Sequence, residues 1–578
     1  MMKSRIANLL FAMSVTLGLA QGATKPNILF IAVDDLRPDL GCYGVSHIYS
    51  PNIDRLANQG VKFEHAYVNV AVCNPSRASM MTGMMPDTLR CWDLNVHFRE
   101  SAPHVTTLPQ HFRKFGYHAV GYGKIYHNPT PDPQSWSEPV KNPDGLAETY
   151  SKELLQEKER LRAKLPDDFW GKSTLRGHAS HPCLTNDDSK THDGATTDMA
   201  IATIKRLAKR EQPFFVAQGY VRPHLPFIPP KKYWDLYDRE KLPLAENRSM
   251  PRDGAPMAIG TNYELRHYCD FTDMPAPNEA TLSDERARQL IHGYCASISF
   301  VDAQIGRLLQ GLEEAGVADN TIVVFWSDHG WKLGEHNGWS KMTNHEIDTR
   351  IPFIVYDPRA KGNGKATKAL IESVDIYPTL CDLAGIPLHP QAEGKSFKTV
   401  LDEPDGDFRD FVRSQYIHHH GGKTYMGYAI RDTRYRYVEW RNVASGKLGF
   451  QEIFDQIHDP QENINIFETI EPANKTALVN TMQAEFPRRK LDISPQLQSG
   501  NSKIEVKISI QNTHESAVNI YAISKRGSRV FYKKLAPGAS VQGKAMLGDY
   551  FIAEAVDGRV HRILAAGYPT SDFTISSN

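Results

Sequence analysis
Asn27-Ile28-Leu29-Phe30-Ile31-Ala32-Val33-Asp34-Asp35 decides the fold of this chain. A nearly unbroken apolar run of strand length, ending in two aspartates, is how a parallel strand buried on both faces reads. Working outward, Pro51 to Gly60 puts Ile53, Leu56 and Ala57 on one helical face, with Pro at the start and Gly past the end. Val61-Lys62-Phe63 resumes extended structure. Leu108 to Phe115 reads as a helix and Tyr117 to Tyr122 as a strand, leading into Gly123-Lys124-Ile125-Tyr126-His127. The rhythm returns as a helix near Thr197 to Lys209 and a strand over Pro213 to Tyr220 that opens into Arg222-Pro223-His224-Leu225-Pro226. A long helix over Ala287 to Ala315 then feeds a strand over Thr321 to Ser327, ending in Asp328-His329-Gly330. This alternation predicts an α/β domain on a largely parallel sheet, at residues 24–400. Ligands of such sheets bind outside the carboxyl ends of the strands, where Asp34, Asp35, Lys124, His127, His224, Asp328 and His329 all fall.

Two regions break the rhythm. Residues 129–190, with one charged helical patch over Lys152 to Lys164, and the proline-rich residues 228–285 read as surface segments that shape a substrate cleft. Beyond Gly385 the elements shorten. Tyr425 to Ile430, Tyr435 to Trp440 and Glu452 to Asp455 read as antiparallel strands of a small α+β unit at 401–495. Residues 503–578 alternate strand runs with Gly, Pro and Asn turns, predicting an all-β module of sandwich type. His418-His419-His420 reads as a solvated loop, and Asn247-Arg248-Ser249 and Asn474-Lys475-Thr476 fit the glycosylation sequon.

Lys plus Arg equals Asp plus Glu at 67 each, so no electrostatic case for nucleic acid or an anionic membrane arises. Lys3 and Arg5 precede the apolar run Ile6 to Ala20, and residues 1–23 read as a secretory signal. No other segment approaches the roughly 18 apolar residues of a span, so an exported protein without a stable membrane anchor is expected. Seven cysteines leave one unpaired if the others bridge, and the absence of a Cys-x-x-Cys pair excludes a zinc ribbon.

Cys73-Asn74-Pro75-Ser76-Arg77, followed by Ala78-Ser79-Met80-Met81-Thr82-Gly83, gives the aspartates a context. Pro75 suits the first position of a helix, which would set Cys73 just before the N-terminus and Arg77 about one turn in. Alone, Cys73 reads better as one more buried apolar residue. Asp34, Asp35 and Asp328 together offer hard oxygen ligands for Ca²⁺ or Mg²⁺, and without a cation they would repel one another. Arg77, Lys124 and Lys341 with His127 and His224 suit an anionic tetrahedral group, since cations can hold its oxygens and histidine can pass protons. Lys124 and His127, three apart, would share one face if helical.

These residues resemble the formylglycine-dependent type I sulfatases. The family signature, Cys-x-Pro-Ser-Arg with a Thr-Gly a few residues on, is matched by Cys73 to Arg77 and Thr82-Gly83, with Asn74 where Ser, Thr or Ala is more usual. Val33 to Arg37, Gly123-Lys124 with His127, Arg222 to Phe227, Ser327 to Trp331, Leu333 to Lys341 and Arg413 to Tyr416 are most similar to the iduronate-2-sulfatase branch. The resemblance covers roughly residues 25–480 and leaves the β module outside. It implies an alkaline-phosphatase-like fold and an exported hydrolase of sulfated carbohydrate. The first guess is a 2-O-sulfated uronate-type residue of a polysaccharide or its oligosaccharides. It implies Ca²⁺ held by Asp34, Asp35, Asp328, His329 and residue 73, with Cys73 converted to formylglycine by a formylglycine-generating or sulfatase-maturing enzyme. His329 stands where many relatives have Asn. One hydroxyl of the hydrated aldehyde would attack sulfur with Asp328 as proton acceptor, giving a covalent sulfate ester. His224 or Lys341 would protonate the departing sugar oxygen, and His127 would take the proton from the second hydroxyl. Arg77 and Lys124 would orient residue 73 and neutralise developing charge.

Two rival readings differ in chemistry. A phosphatase or phosphonate monoester hydrolase of the same superfamily would favour a Thr or Ser nucleophile, or a two-metal set with extra histidines, which the sequence lacks. An inactive glycan-binding relative would have lost metal or acid-base positions, and none is replaced.

Overall fold
The computed structural model describes residues 25–575 apart from 95, 128–130, 147–149, 167–171, 492, 494–504, 524–528, 547–548, 557–560 and 566–569. The expected leader at 1–23 lies outside the described residues. Seven strands form the main sheet: β1 (Asn27–Val33), β2 (Val61–Tyr67), β3 (His118–Gly123), β4 (Phe214–Tyr220), β5 (Thr321–Ser327), β6 (Arg350–Tyr356) and β7 (Ala366–Glu372). Their order is β3-β4-β1-β5-β6-β2-β7, and all run one way except β6.

Burial of β1 on both faces divides the packing in two. Leu29, Ile31 and Val33 point into one core with Ile53 and Leu56 of the Pro51–Gln59 helix and Ala200 and Ile204 of the His192–Leu207 helix. Ile28, Phe30 and Ala32 point into the other, with Met80 and Met81 of the Cys73–Thr82 helix and Leu108 and Phe112 of the Leu108–Lys114 helix. Side chains that alternate across a strand need a helical layer on each side, and the sequence supplies both.

Four details differ from the sequence reading. The helix expected to begin at Pro75 begins at Cys73. Proline is tolerated at its third position because the first N–H groups of a helix have no intrahelical acceptor. Lys124 to His127 is not helical, since Gly123 turns the chain with φ +64° as it leaves β3. β6 was not anticipated, its run being broken by Pro352. That residue lies where the β5 ladder has ended at Phe353 and the β2 register shifts between Phe63 and Ala66, so no ladder hydrogen bond is lost. His418-His419-His420 is not a loop but the end of a strand, β8 (Phe411–His420), paired with β9 (Lys423–Asp432). Gly421 and Gly422, with φ 56° and 70°, close that hairpin as a two-residue turn of the mirror-image kind.

β8 and β9 join β10 (Tyr435–Asn442) and β11 (Leu448–Asp455) in an antiparallel sheet, order β11-β10-β9-β8, covered by Leu478 and Met482 of the Pro472–Glu485 helix. The C-terminal strands β12 (Glu505–Asn512), β13 (Val518–Ile523), β14 (Arg529–Leu535), β15 (Ser540–Met546), β16 (Tyr550–Ala555), β17 (His561–Ala565) and β18 (Thr570–Ile575) make two facing sheets, β15-β12-β18 and β14-β13-β16-β17. Ile508, Ile510, Val518, Ile520 and Phe551 fill the space between them.

All seven cysteines are free. No helix among the described residues is long and apolar enough to cross a membrane. Asn247 is buried and donates to the Gln461 carbonyl at 3.1 Å, so its sequon is no accessible acceptor. The Lys152–Lys164 helix buries no residue, as a surface segment should.

Candidate active site
The carboxyl ends of β1 and β5 lie side by side. They bring Asp34 and Asp35 against Asp328 and His329, all fully buried. Asp35 has φ 58°, in the left-handed region. Neighbouring bonds over-determine that conformation: Asp34 N–H donates to the Tyr220 carbonyl at 3.2 Å, Asp35 N–H to Asp328 Oδ1 at 3.1 Å and Leu36 N–H to Ser327 Oγ at 3.0 Å. The effect is to turn consecutive aspartates into one pocket.

Cys73, the first residue of its helix, faces the aspartates at 1% exposure, and its Sγ lies 3.1 Å from His329 Nε2. One donor atom from each of Asp34, Asp35, Cys73 and His329 lies within 4.8 Å of the others. Asp35 Oδ1 has no hydrogen-bond partner and sits 3.5 Å from His329 Nε2. The cluster with donor spacing thus contains four of the five sequence candidates. Asp328 flanks it, with Oδ2 3.7 Å from His329 Nε2.

Three cations hold the carboxylates. Arg77, fully buried, donates from Nε to Asp328 Oδ2 at 2.8 Å and from Nη2 to Asp34 Oδ1 at 3.2 Å, and from Nη1 to the carbonyls of Lys124 and Ile125. Lys124 Nζ donates to Asp34 Oδ2. Lys341 Nζ donates to Asp35 Oδ2 at 3.1 Å and lies 4.7 Å from the centre of the Trp331 ring. His224, after β4, contacts the Leu225 carbonyl through Nδ1 at 2.6 Å and has Nε2 3.9 Å from Asp35 Oδ2. His127 is half-buried and within electrostatic reach of Lys124, Asp34 and Arg77.

Burial and charge pull these groups apart. Burial would raise Asp34, but Lys124, His224 and Arg77 hold it well below the usual carboxylate range. Burial, with Asp34 beside it, pushes Asp35 well above that range despite Lys341. Burial opposes protonation of His329, yet Asp328 and Cys73 push it up to about 10. Burial, then Lys124, takes His127 down to about 4 and His224 down to about 3. Neighbouring groups driven in opposite directions are a mark of functional sites.

One participant escaped the sequence reading. Glu264 accepts from Lys341 Nζ at 3.2 Å through Oε2, and its Oε1 lies 3.3 Å from His224 Nε2. It sits in the proline-rich region, one residue after Tyr263, where no periodicity or motif marks it. Only the assumption that the cleft is lined from 228–285 could have pointed there.

Residues 26–386 match the family model described as Sulfatase, and residues 334–490 match one described as N-sulphoglucosamine sulphohydrolase, C-terminal. Iduronate 2-sulfatase of Mus musculus is 33% identical over 518 residues, covering 76% of this chain and 90% of its own. A solved structure in complex with its substrate D-glucosamine-2-N,6-O-disulfate superposes with a TM-score of 0.62 at 23% identity, covering 82% of this chain and 99% of that one. The phosphonate monoester hydrolase of Agrobacterium radiobacter superposes equally well, with a TM-score of 0.62 at 22% identity over 80% of this chain and 95% of that one.

Proposed function
The chain belongs to the sulfatase family, and from that premise we propose that it is an exported enzyme releasing sulfate from a 2-O-sulfated uronate-type residue of a polysaccharide or its oligosaccharides. It is a sulfuric ester hydrolase, and the proposal concerns its substrate, its cofactors and the work of each residue. One observation carries it: four buried donors, Asp34, Asp35, Cys73 and His329, meet within 4.8 Å with Arg77, Lys124, Lys341, His127 and His224 around them.

The donor set fits Ca²⁺. Asp34 and Asp35 offer the hard oxygens that Ca²⁺ prefers, and the orphaned Asp35 Oδ1 is a buried acceptor awaiting a partner. Asp328, on the flank of the cluster, is assigned to the same ion. A thiol is too soft for Ca²⁺, so oxidation of Cys73 to formylglycine by a maturing enzyme would put oxygen where sulfur now stands. Bound Ca²⁺ supplies an electrophilic anchor for sulfate oxygens, and hydrated formylglycine supplies a hydroxyl nucleophile.

The chain's own side chains do the rest. Arg77 and Lys124 orient residue 73 and meet the charge that develops on the sulfuryl oxygens. Asp328 takes a proton from the nucleophile at Oδ2, which accepts a hydrogen bond from Arg77 Nε at 2.8 Å. Lys341 Nζ delivers a proton to the departing sugar oxygen, since His224, taken down to about 3 and with Nδ1 against the Leu225 carbonyl at 2.6 Å, has no proton at Nε2 to give. His127, held down to about 4 by burial and Lys124, is neutral at working pH and so able to accept a proton as sulfate leaves.

The test is intact-mass analysis of the exported protein, in which formylglycine at 73 lowers the mass by about 18 Da, followed by sulfate release from defined oligosaccharides. Sulfate release from 2-O-sulfated uronate ends supports the assignment. Turnover of phosphonate monoesters in preference to every sulfate would replace it with the phosphonate hydrolase reading, and glycan binding without turnover would make the protein an inactive binder.

A further inference from the structure
Lys341 and His224 reach the pocket from different loops, one after β5 and one after β4, yet both lie against one carboxylate. Glu264 gives Oε2 to Lys341 Nζ at 3.2 Å and turns Oε1 to His224 Nε2 at 3.3 Å. Its side chain is 16% exposed, and Lys341 is 2% exposed. Burial would favour its neutral form, but Lys341 before all holds it down to about 2. With Oε2 committed to Lys341 and Oε1 turned to the His224 ring, the carboxylate fixes where the ammonium sits. Among the described residues, Asp35 is the other carboxylate near both, 3.1 Å from Lys341 Nζ and 3.9 Å from His224 Nε2.

We propose that Glu264 is a positioning residue that holds the Lys341 ammonium, beside the His224 ring, as the proton donor of the pocket, and so sets how well the enzyme expels a poor leaving group. The inference rests on the sulfatase reading given above. In the step concerned, a hydroxyl oxygen of hydrated residue 73 bonds to sulfur and gives its proton to Asp328, the S–O bond to the sugar breaks with its electron pair left on the sugar oxygen, and that oxygen takes a proton from Lys341 Nζ. The donor left behind regains its proton from solvent. An alkoxide is a far stronger base than a nitrophenolate, so protonation matters greatly for a sugar and little for an activated aryl ester. General acid assistance of this kind is worth about 10²–10⁴ in rate. A carboxylate that only braced the fold would affect both substrates alike.

The test compares Glu264→Ala, Glu264→Gln and Glu264→Asp with wild type, all checked by mass for conversion of residue 73, on a sulfated oligosaccharide and on 4-nitrophenyl sulfate. Glu264→Ala is expected to lower kcat/KM about 100-fold on the oligosaccharide and about threefold on the aryl sulfate, chiefly through kcat. Glu264→Asp should recover part of the difference. Equal losses on both substrates, or no loss on the oligosaccharide, would overturn the inference. If Glu264→Ala does not fold, the nearly isosteric Glu264→Gln carries the same comparison. Wild-type protein that released sulfate from neither substrate would count against the sulfatase reading instead.

Discussion

Lys332 lies between two candidate site residues, His329 and Lys341, on the loop that follows β5, and its ammonium is buried against Asp348. Asp348 is fully buried, accepts at Oδ2 from Lys332 and Thr343, and leaves Oδ1 without a partner. Gly330 N–H donates to the Asp348 carbonyl at 2.8 Å and Lys332 N–H to the Ser340 carbonyl at 2.9 Å, so the pair anchors the loop at both ends. Lys332→Ala removes the cation and strands the carboxylate. Coulomb attraction at about 3 Å contact and an effective dielectric of about 20 is about 5 kcal/mol, and breaking buried pairs costs about 3–5 kcal/mol. For an α/β unit of about 360 residues the unfolding entropy is about 0.75 kcal/mol/K, so a loss of about 3–5 kcal/mol should lower Tm by about 4–7 °C. Scanning calorimetry of wild type and variant measures it. A fall under about 1 °C would refute the reasoning.

Cys73→Ala should release no sulfate from any substrate while melting within about 2 °C of wild type, because the side chain is small and makes no backbone bond; ion chromatography of released sulfate measures it, and residual turnover would exclude residue 73 as nucleophile. Calcium added to chelated protein at about 100 times its dissociation constant should stabilise by about 2.7 kcal/mol, a rise of several degrees in Tm that Asp35→Asn abolishes; an unchanged Tm on addition would remove Ca²⁺ from the site. Asp302 accepts the N–H groups of Asn52 and Ile53 at the start of the Pro51–Gln59 helix, and burial pushes it up to about 6. The folded form therefore holds a proton that the unfolded form loses near pH 4, and the contribution of Asp302 to stability falls as pH rises from about 4 to 6. Asp302→Asn should gain in Tm on wild type between pH 4.5 and 6.5, and a constant difference would show that Asp302 is ionised throughout.

What the sequence shows of this fold depends on how a residue announces itself. β1 and β5 are legible because burial on both faces demands an apolar run, and Asp34-Asp35 and Asp328-His329 stand out as the first polar residues after it. β6 is hidden by Pro352, which is acceptable only because of a register shift in β2 that no sequence pattern encodes. Glu264 and Lys332 are hidden for a different reason: each acts on another side chain brought from elsewhere, and a residue whose partner is distant in sequence carries no local signature. The Cys73–Thr82 helix starts two residues before Pro75 because proline is compatible with several first-turn positions, and the Ser76 N–H to Val72 carbonyl bond, at 3.0 Å, settles which.

Sheet order also explains why the site uses the residue types it does. Adjacent strands lie about 4.8 Å apart, so neighbours such as β1 and β5 can bring short side chains into mutual contact at their ends. Aspartate and histidine come from those two strands, and their donors meet within the 4.8 Å cluster. β4 flanks β1 on the other side, and His224 follows its end by four residues, reaching only to 3.9 Å from Asp35. β3 is two strands from β1, about 10 Å away. No short side chain could cross that gap, and the residue placed there is Lys124, whose extended stem carries its ammonium to Asp34. Arg77 solves the opposite problem. Entering from the Cys73–Thr82 helix at the end of the sheet, it is long enough to bond Asp34, Asp328 and the Lys124 carbonyl together, and so ties β1, β5 and β3 to the residue four positions before it, Cys73. Lysine in place of Arg77 would offer a single ammonium for partners in three directions, so Arg77→Lys should disorder the donor cluster despite keeping the charge. Its calcium-dependent rise in Tm should therefore shrink towards that of Asp35→Asn, and a rise equal to that of wild type would show that charge alone suffices.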